Sequence, residues 1–219
     1  ANRRSKSASA SVWPGVIVLI SLLLLSRIFR SRLLSLFLLG VLFFHVLFFR
    51  DLPPRIPAGD TVLSPASGRI SLIDTVNETR FLREESWRIR IFLALWNVHV
   101  TRSPMEGEVA YQNHVPGQHI NVLLPESADK NESNWIGIRD DDGRISLVRQ
   151  ITGAIARRIY SDVEVGSIVG RGGKLGIICY GSTVELYIPK RLFSPAVRVG
   201  QRVKTGETVM GTWKEEAEA

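Results

Sequence analysis

A chain of 219 residues, 45% of them apolar, is long enough for one sizeable buried core. Its formal charge of +7 is concentrated at one end: residues 1–55 hold eight of the 28 Lys and Arg but one of the 21 acids, so the remainder is balanced. That distribution argues against a nucleic-acid-binding face on the globular part and for contact with anionic lipid headgroups, while the single cysteine, Cys179, excludes an intramolecular disulfide.

Residues 12–26 and 33–49 are nearly uncharged apolar stretches separated by Arg27, Arg30 and Arg32. Each is shorter than the roughly 20 residues that cross a bilayer core comfortably. The pattern predicts a hydrophobic α-helical membrane anchor over residues 1–54, either a tight hairpin with snorkelling arginines or a re-entrant or interfacial helix pair. Three central arginines exclude one long helix, and no small-residue cleavage site follows Leu25 to make the first stretch a removable leader. In a hairpin the N-terminus and the following domain share one face, the cytoplasmic face by default. His45, inside the second stretch, marks an interfacial depth or a helix contact.

From residue 55 onward short alternating runs are punctuated by Gly, Pro, Asn and Asp, which predicts a β-rich domain over 55–219. Arg88-Ile89-Arg90-Ile91-Phe92-Leu93 alternates and then turns apolar, as a strand entering a core does. His114 and His119 are read as loop residues near Pro116-Gly117, without the further ligands that a metal site needs, so no metal is expected. Asp140-Asp141-Asp142-Gly143 reads as a hairpin turn between residues 135–138 and 144–149; its consecutive acids do not fit a calcium loop. Residues 150–160 suit a short helix or a strand. Residues 163–170 and 199–211 repeat a layout of valine, glycine, a polar step, an apolar residue and glycine. Such paired turns resemble those of biotinyl and lipoyl carrier domains, and point to a barrel or sandwich of short strands with one or two short helices. Lys204 lacks the setting of a modified lysine and is read as a surface turn residue, and Cys179 as a buried small apolar residue.

Tyr180-Gly181-Ser182-Thr183 lies within the strand-like run 175–189. A serine hydroxyl held in a strained turn can attack the carbonyl of a preceding glycine, exchanging the amide for an ester. Elimination leaves dehydroalanine at position 182, and hydrolysis turns that into a pyruvoyl group, a ketone able to take up an amine and act as an electron sink.

The wider set of motifs gives that peptide its context. Phe48-Phe49-Arg50-Asp51, Leu63-Ser64-Pro65-Ala66-Ser67-Gly68, Asn97-Val98-His99-Val100-Thr101-Arg102-Ser103-Pro104, the run from Leu147 to Gly176 and Tyr180-Gly181-Ser182-Thr183 occur in that order. Together they resemble the phosphatidylserine decarboxylase family, in its short membrane-anchored form, over residues 12–212. The resemblance implies self-cleavage between Gly181 and Ser182, a covalent pyruvoyl cofactor derived from Ser182, and decarboxylation of phosphatidylserine to phosphatidylethanolamine at the membrane. It implies a catalytic role for His99, the histidine that returns a proton after carbon dioxide leaves. It also admits a homodimer. Ser67 is a departure: it stands where the family has an Asp thought to pair with a histidine and activate the cleaving serine, and a serine supplies neither anion nor base. Asn97 and Ser133 replace an Asp of some members and a common Arg. Arg157 and Arg158 are candidates for a substrate phosphate, and the apolar segment 92–96 for acyl chains. The alternative is a non-catalytic, membrane-tethered β-sandwich that binds lipid or protein, or a carrier module.

Overall fold

The computed structural model describes residues 8–28, 31–122, 124, 126–154, 158–179 and 182–214. Two helices come first, α1 (Ala8–Ile28) and α2 (Arg32–Phe48). Ser31 caps α2 by accepting the Leu34 N–H at 3.4 Å. The helices run antiparallel, because Ser26 Oγ meets Ser35 Oγ at 2.8 Å near the connection while Gly15 faces His45 at the far end. A Cβ at position 15 would lie 2.7 Å from the imidazole, so a larger residue there would have to displace the ring. His45 is thus a helix contact. Among the described residues no helix is long and apolar enough to cross a membrane.

The rest is mainly β. The strands are β1 (Thr61–Leu63), β2 (Gly68–Glu78), β3 (Glu84–Leu93), β4 (Val100–Arg102), β5 (Gly107–Val115), β6 (Ser133–Arg139), β7 (Ile145–Ile151), β8 (Ile159–Ser161), β9 (Ile168–Val169), β10 (Lys174–Ile178), β11 (Ser182–Pro189), β12 (Phe193–Pro195), β13 (Arg202–Val203) and β14 (Val209–Trp213). One single-turn helix, α3 (Ser127–Lys130), lies between β5 and β6. Eight strands form an antiparallel sheet, ordered β13-β2-β3-β11-β7-β6-β5-β9, which curls into a half-barrel and is neither a closed barrel nor a plain sandwich. Two three-stranded sheets, β1-β14-β12 and β4-β10-β8, complete the fold.

The two repeated glycine turns serve opposite edges of the large sheet. Gly166 donates to Val109 beside the β5–β9 edge, and Gly200 donates to Ile70 beside the β2–β13 edge. The acidic turn is a hairpin joining β6 to β7, with Asp140 accepting the Arg144 N–H at 2.8 Å and Gly143 at φ 79°. The stretch 150–160, open between helix and strand in the sequence, ends β7 and begins β8.

Every residue of β11 is buried, so both faces of the sheet are covered at its centre. On the inner face Ile89, Ile91, Val148, Val184 and Leu186 belong to the main core, each such side chain contributing about 1.5–3 kcal/mol. The outer face packs Leu82, Trp135, Leu147 and Tyr187. It also buries Glu185, which lies in register between Arg90 on β3 and Arg149 on β7 and pairs with both, at 2.7 and 3.1 Å. Burial alone raises this carboxyl, but the Arg149 and Arg90 guanidiniums more than reverse it and hold it below the usual carboxylate range.

Candidate active site

The run 175–189 is not one strand. It is divided between β10, which ends at Ile178 in a three-stranded sheet, and β11, which begins at Ser182 in the eight-stranded sheet. The connection from β3 to β4, at residues 94–99, also passes between these two sheets. Since β3 pairs with β11 and β4 pairs with β10, the two crossings lie side by side. One crossing leads into Ser182 and the other ends on His99.

Ser182 opens β11 opposite Leu93, the last residue of β3. It is completely buried, and among the described residues its Oγ has no hydrogen-bond partner. Leaving a buried hydroxyl unsatisfied costs about 1–3 kcal/mol, so the position calls for a reason other than stability. Gly181, and with it the peptide predicted to be strained and cut, lies outside the described residues.

His99 is also completely buried, and its carbonyl accepts the Ile178 N–H at 3.2 Å, four residues before Ser182. Its Nδ1 lies 2.9 Å from the Asn97 carbonyl oxygen. A carbonyl can only accept, so Nδ1 carries the hydrogen and Nε2 keeps its lone pair. Asn97 holds the crossing in a tight turn, its Oδ1 accepting the Ala94 N–H and its own N–H donating to the Ala94 carbonyl, both at 2.9 Å. Burial drives the His99 imidazole down to about 4, opposed by the bond to Asn97 and reinforced by the nearby Arg50 charge. Its ring is covered by Phe48, the last residue of α2, with centroids 4.3 Å apart.

Beside these two lies a buried polar chain that sequence reasoning missed. Asn134 Nδ2 donates to Gln150 Oε1 at 2.9 Å, Gln150 Nε2 to Thr101 Oγ1 at 2.5 Å, and Thr101 Oγ1 to the Gly176 carbonyl at 3.2 Å. Gln150 sits opposite Val184 on the inner face. The available signal was an amide at an inward position of each of two apolar strands.

His114 lies in β5 rather than in a loop, because the strand runs to Val115 before Pro116 removes the next donor. His119 is in a loop as expected. Both Nε2 atoms face the Glu132 carboxylate, at 3.3 and 3.6 Å, and His119 Nδ1 lies 3.1 Å from Thr152 Oγ1. Thr183 pairs with Ile151, so Thr152 is beside Ser182, one strand away. Among the described residues no set of three His, Cys, Asp or Glu side chains is placed to hold a metal ion.

Ser67 is buried in the turn before β2, where its Oγ accepts the Thr205 N–H at 2.9 Å. It ties down the C-terminal segment and supplies no charge. Arg157 lies outside the described residues. Arg158 is exposed, weakly bonded to the Tyr160 hydroxyl at 3.5 Å, and its carbonyl accepts the Cys179 N–H at 3.1 Å, three residues before Ser182. Cys179 is buried, and burial pushes its thiol up to about 11, which leaves it inert. Of the apolar segment 92–96, Leu93 is consumed by the core and only Trp96 projects, 71% exposed.

Comparison with known proteins places this arrangement. The family described as phosphatidylserine decarboxylase matches residues 41–211. The phosphatidylserine decarboxylase proenzyme of Carboxydothermus hydrogenoformans is 41% identical over 153 residues, 70% of this chain and 71% of that protein. The proenzyme of Nitrosomonas eutropha is 37% identical over 75% of this chain and 76% of its own, and that of Aromatoleum aromaticum 35% identical over 90% and 92%. A mainly β chain with these relatives is a carboxy-lyase of phospholipid biosynthesis, in a group whose members are named as proenzymes. It belongs to the phosphatidylserine decarboxylase family.

Proposed function

We propose that this chain cuts itself between Gly181 and Ser182, converts Ser182 to a pyruvoyl group, and uses that group to decarboxylate phosphatidylserine to phosphatidylethanolamine at a bilayer surface. The observation that carries the reading is the buried Ser182 hydroxyl, without a partner among the described residues, at the start of β11 beside a connection that ends on His99. In the cut, Oγ bonds to the Gly181 carbonyl carbon and the peptide C–N bond breaks, leaving an ester. Elimination releases the Gly181 carboxylate and leaves dehydroalanine at 182. Water then takes the place of the amino group, which departs as ammonia. The products are fragments 1–181 and 182–219.

The residues present suit the pyruvoyl group. Because Ser182 Oγ makes no hydrogen bond among the described residues, losing the hydroxyl strands no partner there. Once formed, the group supplies a ketone that takes up the substrate amine and draws electrons as carbon dioxide leaves. The chain's own side chains do the remaining work. His99, with hydrogen on Nδ1 and a lone pair on Nε2, is set to accept a proton and to give it back. Arg158, exposed beside the crossing, and its neighbour Arg157 are placed in sequence for the lipid phosphate. Residues 1–54 form the anchor, a hairpin seated in the headgroup region of the cell membrane, with residues 55–219 as the catalytic domain on the cytoplasmic face. Pairing of two chains into a homodimer is compatible with this placement.

Intact-mass measurement on purified protein tests the reading. Two fragments are expected, the smaller with a blocked N-terminus, while the S182A variant stays whole and has no decarboxylase activity. A wild-type chain that remains single under conditions where it is folded would refute self-processing. The structural role of Ser67 favours one second reading, a slowly cut or uncut form. Ser67→Asp keeps an acceptor for Thr205 and adds a carboxylate, so cleavage faster than in the wild type is the outcome that this form predicts.

A further inference from the structure

Four consecutive residues at the end of the hairpin, Phe48 to Asp51, each contact the segment that bears His99 or its pairing strand. Most of α2 shows its side chains outward, Leu33, Phe37 and Phe43 among them, yet Phe48 is 1% exposed. Its ring lies on the His99 imidazole, 4.3 Å between centroids and 33° between planes. Phe49 joins the cluster of Val98, Val100 and Ile177. Arg50 bridges the helix and the crossing, donating to the Leu47 carbonyl at 2.5 Å and to the Trp96 carbonyl at 2.8 Å. Asp51 then pairs with Arg102 on β4 at 2.5 Å and with Lys174 on β10 at 3.0 Å. The end of the hairpin is therefore fastened to both strands that frame His99.

We propose that Phe48 and Arg50 are positioning residues for His99: Phe48 seals the imidazole from water and fixes its plane, Arg50 holds the turn that carries it, and the seating of the hairpin thereby sets the reactivity of the site. The physical logic is that an imidazole acts as a base only when neutral. A ring stacked over it removes the water that would stabilise the charged form, and a guanidinium nearby opposes a second positive charge. Charged or titratable groups on the elements packed against this corner are His45 on α2, Arg50 and Asp51 on the linker, Arg102 on β4, Lys174 and Cys179 on and after β10, Tyr160 on β8 and Arg158 just before it. Among the described residues Arg50 is the one whose charge bears on His99.

This inference deepens the self-processing reading and rests on it for its consequence, but its first test does not depend on cleavage. Full-length S182A protein in phosphatidylglycerol-containing liposomes, labelled with carbon-13 at histidine, reports the His99 titration by NMR, the signal being assigned by its loss in the S182A/H99Q chain. Phe48→Ala should move the His99 midpoint from about 4 towards the ordinary value of about 6.5, while Phe48→Leu, which keeps an apolar cover, should leave it low. The second test follows the rate of fragment formation in chains with an intact Ser182. The wild-type rate should be flat from pH 8 to about 5, and that of Phe48→Ala should fall about tenfold between pH 8 and 5.5 as His99 protonates. An unmoved midpoint in a folded Phe48→Ala protein overturns the inference, as does slowing that is equal at every pH. A wild-type chain that never cleaves, with a His99 midpoint that still moves on Phe48→Ala, would overturn the processing reading and uphold the positioning role.

Discussion

His99 shows how a single buried group can be a liability for stability and an asset for chemistry. Its folded value, about 4, lies below the ordinary histidine value of about 6.5. Below pH 6.5 the unfolded chain takes up a proton that the folded chain refuses, so stability is lost as the pH falls from about 6.5 towards 4 and is unaffected above that window. The H99Q variant in an S182A background should escape this loss. Urea unfolding at pH 7.5 and pH 5 is expected to show S182A losing about 2 kcal/mol more than S182A/H99Q. The same burial keeps the imidazole neutral and able to accept a proton at working pH. Ser182 follows a parallel logic on the proposed reading, since a buried hydroxyl with no partner among the described residues is a poor choice for folding and a suitable one for reaction. Ser67 is the opposite case, a residue whose hydrogen bond to Thr205 is structural and whose chemistry is mute.

Among the elements, β11 carries both Ser182 and a buried ion-pair cluster. Ser182, Val184 and Leu186 fall on the inner face, and Thr183, Glu185 and Tyr187 on the outer one, so alternate positions serve the site and the scaffold. Glu185 clamps β11 to β3 and β7 through Arg90 and Arg149, and its Oε2 accepts the Tyr187 hydroxyl at 2.6 Å. Removing that carboxylate by Glu185→Ala would leave the buried Arg149 and the half-buried Arg90 guanidiniums without that partner. A loss of about 3–5 kcal/mol in chemical denaturation is expected, with Glu185→Gln intermediate. Slower processing in the Ala variant would follow from a displaced strand, and would be the same at every pH, unlike the loss on Phe48→Ala.

For the molecule as a whole, the two N-terminal helices expose many apolar side chains, among them Trp13 and Ile17 on α1 and Phe43 and Phe44 on α2, and Trp96 is exposed in the segment that leads to His99. Exposed apolar area of this extent is costly in water and marks an interaction surface. On the proposed membrane reading, it and the basic residues of the first 55 positions would make two separable contributions to lipid binding. Flotation with liposomes containing anionic lipid is expected to survive a wash in 1 M salt, because the apolar contribution is not screened, and binding to neutral liposomes should be weaker at low salt. Release of all the protein by salt would show that charge alone holds it and that the hairpin does not enter the bilayer.

The sequence by itself determined a mainly β domain, the acidic hairpin turn, a buried Cys179 and the motifs that mark the family, because each is local: alternation, turn chemistry and short ordered peptides are properties of neighbouring residues. Tertiary structure decided what those motifs do together. Residues 175–189 look like one strand because apolar composition does not record which sheet a residue joins; only the pairing of β10 with β4 and of β11 with β3 reveals the break before Ser182 and brings His99 to it. The same holds for Phe48 over His99, Gln150 against Thr101, and Glu132 between two histidines, each joining positions distant in the chain. Such contacts depend on which strands and helices pack side by side, and that is settled by the burial of the whole core, which local patterns do not encode.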